Sequence, residues 1–158
     1  MSADPTWSRP ERTGWRDQEI SARHRTWGFN CPAVDLDFLM VEYNMGKPVA
    51  LVEYKHFRAN RPNVQHATYR ALLDLANASA VPFYLAFYWP DIWAFEILPI
   101  NDLAFTWFRD GETLSERRYV ERMYQMRGRL VELAVIARLR DELPGWDTES
   151  HLWDAEDR

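Results

Sequence analysis

Two β-rich runs, VDLDFLMVEY at 34–43 and PVALVEYKHF at 48–57, stand either side of the turn-forming NMGK, and this pairing constrains the fold more than any other feature of the chain. Side chains alternate across a strand. Leu39 and Val41 therefore share one face of the first run, while Leu36, Phe38 and Met40 share the other. In the second run Val49 and Leu51 point one way, and Ala50, Val52 and Tyr54 the other. A hairpin that is apolar on both faces needs cover on both, which calls for a sheet flanked by helices.

The rest of the chain supplies the cover. DQEISARHRTWGF at 17–29 reads as a short helix with Asp17 as N-cap and Gly28 as stop. NVQHATYRALLDLANAS at 63–79 has apolar residues at a helical period. VPFYLAFYW at 81–89 and WAFEILPI at 93–100 form a second strand pair around the turn signal PDI, and 101–114 connects onward. SERRYVERMYQMRGRLVELAVIARLRDEL at 115–143 predicts a long amphipathic helix capped by Ser115, with Gly128 a point where it bends or splits. The order is αββαββα. The expected class is α/β (α+β), a mixed central sheet flanked by helices, with an extra long C-terminal helix. A chain of 158 residues, 47% hydrophobic, has material for one core, placed at 1–143, with 144–158 as an acidic tail and the first fifteen residues as an arm.

Several functions are disfavoured. The longest apolar stretch is interrupted by Pro82 and Pro90, too short to span a bilayer, and the opening residues carry no apolar export core, so a cytoplasmic protein without membrane contact is expected. Cys31 is the only cysteine, which removes an internal disulfide and a thiolate zinc cluster. A net charge of −5 argues against a general nucleic-acid coat protein. The charge is uneven, however: residues 1–70 hold ten Lys or Arg against eight Asp or Glu, and 71–158 hold nine against sixteen. From His56 to Arg70 there are Arg58, Arg61, Arg70, His56 and His66 and no acid. That stretch is either a local cationic patch or an ordinary solvated loop and helix face.

The hairpin ends in charge. Antiparallel pairing about Met45 and Gly46 sets Asp37 opposite residues 53–55, so Asp35, Asp37, Glu53 and Lys55 converge at its open end. Carboxylates gathered beside a packed core repel one another and lose hydration, a cost that a divalent cation offsets. Oxygen ligation suits Mg²⁺ or Mn²⁺, with the Tyr54 carbonyl as a further ligand and Lys55 placed to hold a water and balance charge on a phosphate. The competing reading is a structural ion pair, Asp37–Lys55 or Glu53–Lys55, at the sheet edge.

Asp37, Glu53 and Lys55 form a D…ExK pattern on a hairpin that resembles the metal-binding signature of the PD-(D/E)xK nuclease superfamily, whose core is αβββαβ. Gln65 and Tyr69, in QHATY after the ExK run, resemble the QxxxY motif of its RecB-like branch, and at i and i+4 of the expected helix they share a face. The resemblance covers residues 17 to 100 roughly and implies a restriction-endonuclease-like fold. It implies that Asp37, Glu53 and Tyr54 hold the metal, that Gln65 supports the metal-bound water or phosphate, and that Tyr69 touches the DNA backbone. Glu19 matches the acid of the family's first helix and His24 an upstream histidine. The pattern departs from the family in that no proline directly precedes Asp37 and Asp35 competes for its role.

These readings lead to a Mg²⁺-dependent DNA nuclease acting on DNA ends or structures in recombination, repair or defence, in phage or bacteria. Arg58, Arg61 and Arg70 would steer the phosphate backbone. The rival is a catalytically inactive nuclease-like scaffold that binds protein or nucleic acid, with the C-terminal helix available to a partner or to a second copy of the chain. Trp7, Trp15 and Trp27 are candidates to stack on bases, whereas Trp89, Trp93 and Trp107 read as packing.

Overall fold

The computed structural model describes residues 17–145. The expected N-terminal arm, with Trp7 and Trp15, and residues 146–158 of the acidic tail lie outside the described residues. A short helix α1 (Gln18–His24) is capped by the Asp17 carboxylate and runs through a 3₁₀ turn to Gly28, whose φ is +87°. It buries none of its residues. Strands β1 (Phe38–Glu42) and β2 (Lys47–His56) pair antiparallel around a 3₁₀ turn that Gly46 closes in the left-handed region. Helix α2 (Ala67–Ala78) carries the chain back to β3 (Phe83–Trp89), which lies parallel to β2. Strand β4 (Ala94–Pro99) returns antiparallel to β3. The four-residue helix α3 (Asp102–Phe105) leads to β5 (Glu112–Leu114) on the far side of β4, and α4 (Glu116–Met126) and α5 (Leu133–Ile136) follow. The result is one mixed open sheet in the order β1-β2-β3-β4-β5, an α/β architecture.

Each face of the sheet has its own core. Ala50, Val52, Tyr84, Ala86, Phe95 and Ile97 face α3 and α4, where Phe108 and Tyr119 close the layer. Leu51 and Phe83 face α2 and pack on Leu72, Ala76 and Val81. This is the two-sided cover that the apolar hairpin requires. Asn101, buried beneath α3, joins the parts. Its Oδ1 accepts from the amides of Phe83 at 2.9 Å and Ala104 at 3.0 Å, and its Nδ2 donates to Val81 O at 2.9 Å and Asn77 Oδ1 at 3.1 Å.

The described residues hold two strands before the crossover helix, as the order αββαββα expects and one fewer than an αβββαβ core contains. Two expectations are corrected. The stretch 101–114 is not plain connection, since it holds α3 and β5. The long C-terminal helix is not formed: α4 stops at Met126. Gly128 adopts φ +69°, its amide donates to Gln125 O at 2.9 Å, and the Arg129 amide donates to Tyr124 O at 3.0 Å, the paired bonds of a Schellman terminus. The turn aims two arginines back at the hairpin. Arg129 grips the buried Glu42 carboxylate through Nε at 2.6 Å and Nη2 at 2.7 Å, and Arg127 Nε donates to Val41 O at 2.9 Å. A continuous helix would forfeit these contacts.

Candidate functional site

The C-terminal end of β2 sits where an open α/β sheet presents ligands, at the carboxyl ends of its parallel strands and beside the N-terminus of the crossover helix. The register there is Phe38 opposite Val52, which continued by one residue sets Asp37 opposite Glu53. The Asp37 carboxylate accepts the Tyr54 amide at 3.2 Å, extending the β1–β2 pairing by a side chain after the strand has ended. Leu51 and Phe57 send their amides across to the β3 side, so the alternation turns the peptide groups of Tyr54 toward this same edge.

Glu53 lies on the α2 face and is 8% exposed. Its carboxyl is held above the usual carboxylate range, first by burial and next by the charge of Asp37. The closeness of the two carboxyl groups adds to this, while the Asp37 backbone and the Lys55 ammonium act the other way. Lys55 Nζ stands 3.7 Å from Glu53 Oε2. The structure thus brings together Asp37, Glu53 and Lys55, and the ion pair of the competing reading is present among them.

Other candidates fall elsewhere. Asp35 is exposed ahead of β1, where no strand register fixes it, and among the described residues no group of three or more His, Cys, Asp or Glu side chains is arranged to hold a metal. The expected convergence of Asp35 with Asp37 and Glu53 is therefore corrected to a pair of carboxylates. Gln65 does not share a helix face with Tyr69. His66 is the N-cap of α2, its Nδ1 accepting the Thr68 amide at 3.3 Å, and Gln65 lies outside the helix, its amide bound to Asn63 Oδ1 at 2.9 Å. Tyr69 is half-buried and packs over the α2 core. Glu19 is exposed in the first turn of α1, and the His24 ring rests against Trp27 with centroids 4.9 Å apart. Arg58 and Arg70 are exposed. Arg61 is engaged instead, with Nη2 2.6 Å from Glu96 Oε1 and its guanidinium over the Phe87 ring.

Glu96 and Phe87 are neighbours that sequence reasoning missed. Lys55, Phe87 and Glu96 are lateral partners across three strands, so they form one row on the α2 face, directly beyond Glu53. The available signal was Glu96 itself, a lone acid inside the apolar run WAFEILPI, as Glu53 is inside PVALVEYKHF. Among the described residues no helix is long and apolar enough to cross a membrane. Compared with protein-family models, with curated proteins and with solved structures, the chain matches none.

Proposed function

We propose that the chain is a Mg²⁺- or Mn²⁺-dependent DNA nuclease of the PD-(D/E)xK type, with β1, β2, α2 and β3 as the part of a restriction-endonuclease-like core that carries the site. The supporting observation is the pairing of Asp37 with a buried Glu53 whose ionisation is disfavoured by burial and by that same neighbour. A cation would relieve this repulsion. Mg²⁺ is commonly held by one or two carboxylates, with waters and substrate phosphate completing the shell, so a pair of carboxylates and the Tyr54 carbonyl fit it without a third acid. The chemistry such an ion supplies is polarisation of a phosphoryl oxygen and a water acidic enough to attack. With such an ion bound, Lys55 would orient the water and balance charge on the phosphate. Arg58 and Arg70 would steer the backbone, Tyr69 packs on the α2 face of the sheet, and Gln65 stands on the loop before α2.

The experiment is incubation of purified protein with linear, single-stranded and branched DNA in Mg²⁺ or Mn²⁺, beside Asp37→Ala and Lys55→Ala. Loss of cleavage in both variants is the expected result. Cutting that survives both removes the site. The second reading, an inactive scaffold, is favoured by the Lys55–Glu53 pair and by the lack of a three-acid cluster among the described residues. Calorimetric titration with Mn²⁺ separates the two: the nuclease binds it with a heat that Glu53→Gln abolishes, and the scaffold binds none.

A further inference from the structure

Beyond Lys55 the same strands end in an unbroken run of aromatic rings. Phe57 and Trp89 stack with centroids 5.4 Å apart and planes 17° from parallel. His56 tilts against Phe57 at 4.7 Å and meets Tyr88 edge-on at 5.6 Å. Tyr88 and Trp93 stack at 6.1 Å, 19° from parallel. Trp93, Tyr88, His56, Phe57 and Trp89 therefore wrap the ends of β2 and β3 from one face of the sheet to the other. Packing alone would bury such rings, as it does Tyr84, Phe83 and Phe108 in the cores. Here four are half-buried, and Trp93 is 43% exposed.

Trp93 also occupies a backbone position suited to glycine or asparagine. Its φ is +54° and its amide donates to Trp89 O at 2.7 Å, closing the turn through Pro90, Asp91 and Ile92. A bulky residue in the left-handed region is strained, and such strain concentrates where a side chain is needed for something other than the turn. The rim is flanked by cations. Arg58, exposed and without an ion pair among the described residues, lies over the Phe57 ring at 5.2 Å, and Lys55 is two residues before Phe57, which directly follows β2. No acid occurs between His56 and Arg70. At about 3.3 Å per residue, the end of β2 at His56 stands roughly 10 Å along the strand from Glu53.

We propose that this rim is a stacking platform for the bases of single-stranded DNA, which it holds so that the backbone runs over Arg58 and Lys55 toward Asp37 and Glu53. The substrate form rests on the nuclease reading; the platform does not. Flat rings beside cations accept any unstacked base, because every base has a π-face and every linkage a negative charge. A duplex keeps its bases stacked inside and cannot use them.

The test is fluorescence anisotropy with labelled oligothymidylate and with a duplex of equal length, in EDTA so that nothing is cut. The expected result is tighter binding of the single strand, weakened about 5-fold or more in Trp93→Asn and in Phe57→Leu, with unchanged duplex binding and unchanged circular dichroism. Asparagine keeps the left-handed turn, so a loss there reports the ring. Variants that bind oligothymidylate like the parent, or a parent that prefers duplex or binds neither, overturn the platform and assign the rim to packing or a protein contact. Rim-dependent binding without Mg²⁺-dependent cleavage sinks the nuclease and leaves the platform. Mg²⁺-dependent cleavage together with oligothymidylate binding indifferent to both rim variants does the reverse.

Discussion

The last turns of β2 present two opposite solutions to burying polar groups, one on each face. Toward α4, the Tyr54 hydroxyl meets Tyr119 at 2.7 Å, and Tyr119 meets Tyr84 at 3.0 Å. Burial pushes the Tyr119 and Tyr84 hydroxyls far above the usual tyrosine range, so this cluster stays neutral and its oxygens satisfy one another. Toward α2, one residue away on either side, Glu53 and Lys55 place charge at the rim of a core, and Glu53 faces a second carboxylate. The tyrosine face closes on itself; the carboxylate face is left with a repulsion that its own residues only partly relieve. Among the described residues no buried side-chain N or O atom lacks a hydrogen bond, so the difference is one of charge and not of missing partners. A polar cluster satisfied internally serves stability, whereas one that retains net repulsion next to an exposed edge is what the proposed metal site would use.

The comparison can be broken from either side. The largest effect belongs to the carboxylate face: Asp37→Ala or Lys55→Ala should lower metal-dependent cleavage by about 100-fold or more while leaving the thermal midpoint nearly unchanged, as assay and melting curve measured together would show. Next comes Tyr119→Phe, which leaves the Tyr54 and Tyr84 hydroxyls without their shared partner. It should cost about 1–3 kcal/mol in denaturant unfolding and leave cleavage intact below the midpoint. If folded Tyr119→Phe loses cleavage as deeply as Asp37→Ala, the faces are not separate. A smaller effect is expected at the hairpin's other end. The Arg129 guanidinium holds the Glu42 carboxyl below its ordinary value of 4.5, so the pair's stabilisation is present above that value and fades as pH falls through the depressed one. Arg129→Leu should thus lower the melting temperature by a few degrees near neutrality and by almost nothing in acid.

Those faces were only partly legible in the residues. The hairpin, the helix after it and both later strands follow from period and turn chemistry, because each is long enough to show its pattern. The juxtaposition of Asp37 and Glu53 was legible for the same reason, through strand register alone. What escaped depends on partners distant in the chain. Strand β5 has three residues and exists by pairing Leu114 with Phe95; α3 is four residues held by Asn101, whose partners lie at Asn77, Val81 and Phe83. The end of α4 was signalled by Gly128, yet nothing local reveals that Arg127 and Arg129 have Val41 and Glu42 to reach. The helical period does not carry Gln65 with Tyr69, because the helix starts only after His66, its N-cap. Arg61 read as a free cation because Glu96 is 35 residues away in sequence.

The most delicate contrast lies in Glu53 itself. An unfolded glutamate releases its proton near 4.5, and the folded carboxyl does so at a higher pH. Between those values the native state binds more protons than the unfolded one, so stability falls as pH rises through the window, and above it the full cost of a buried charge beside Asp37 is in place. Glu53→Gln keeps the shape and removes the charge. Without divalent ions it should therefore melt with the parent in acid, where both are uncharged at this position, and exceed it by about 0.5–1 kcal/mol above neutrality. The exposed part of Lys55 is solvated and loses little with its partner. Added Mg²⁺ should reverse the order, stabilising the parent by mass action and leaving Glu53→Gln where it was. A variant less stable than the parent at high pH without metal would mean that the Lys55–Glu53 pair outweighs the repulsion, and the carboxylate face would then be a structural counterpart of the tyrosine face rather than its opposite.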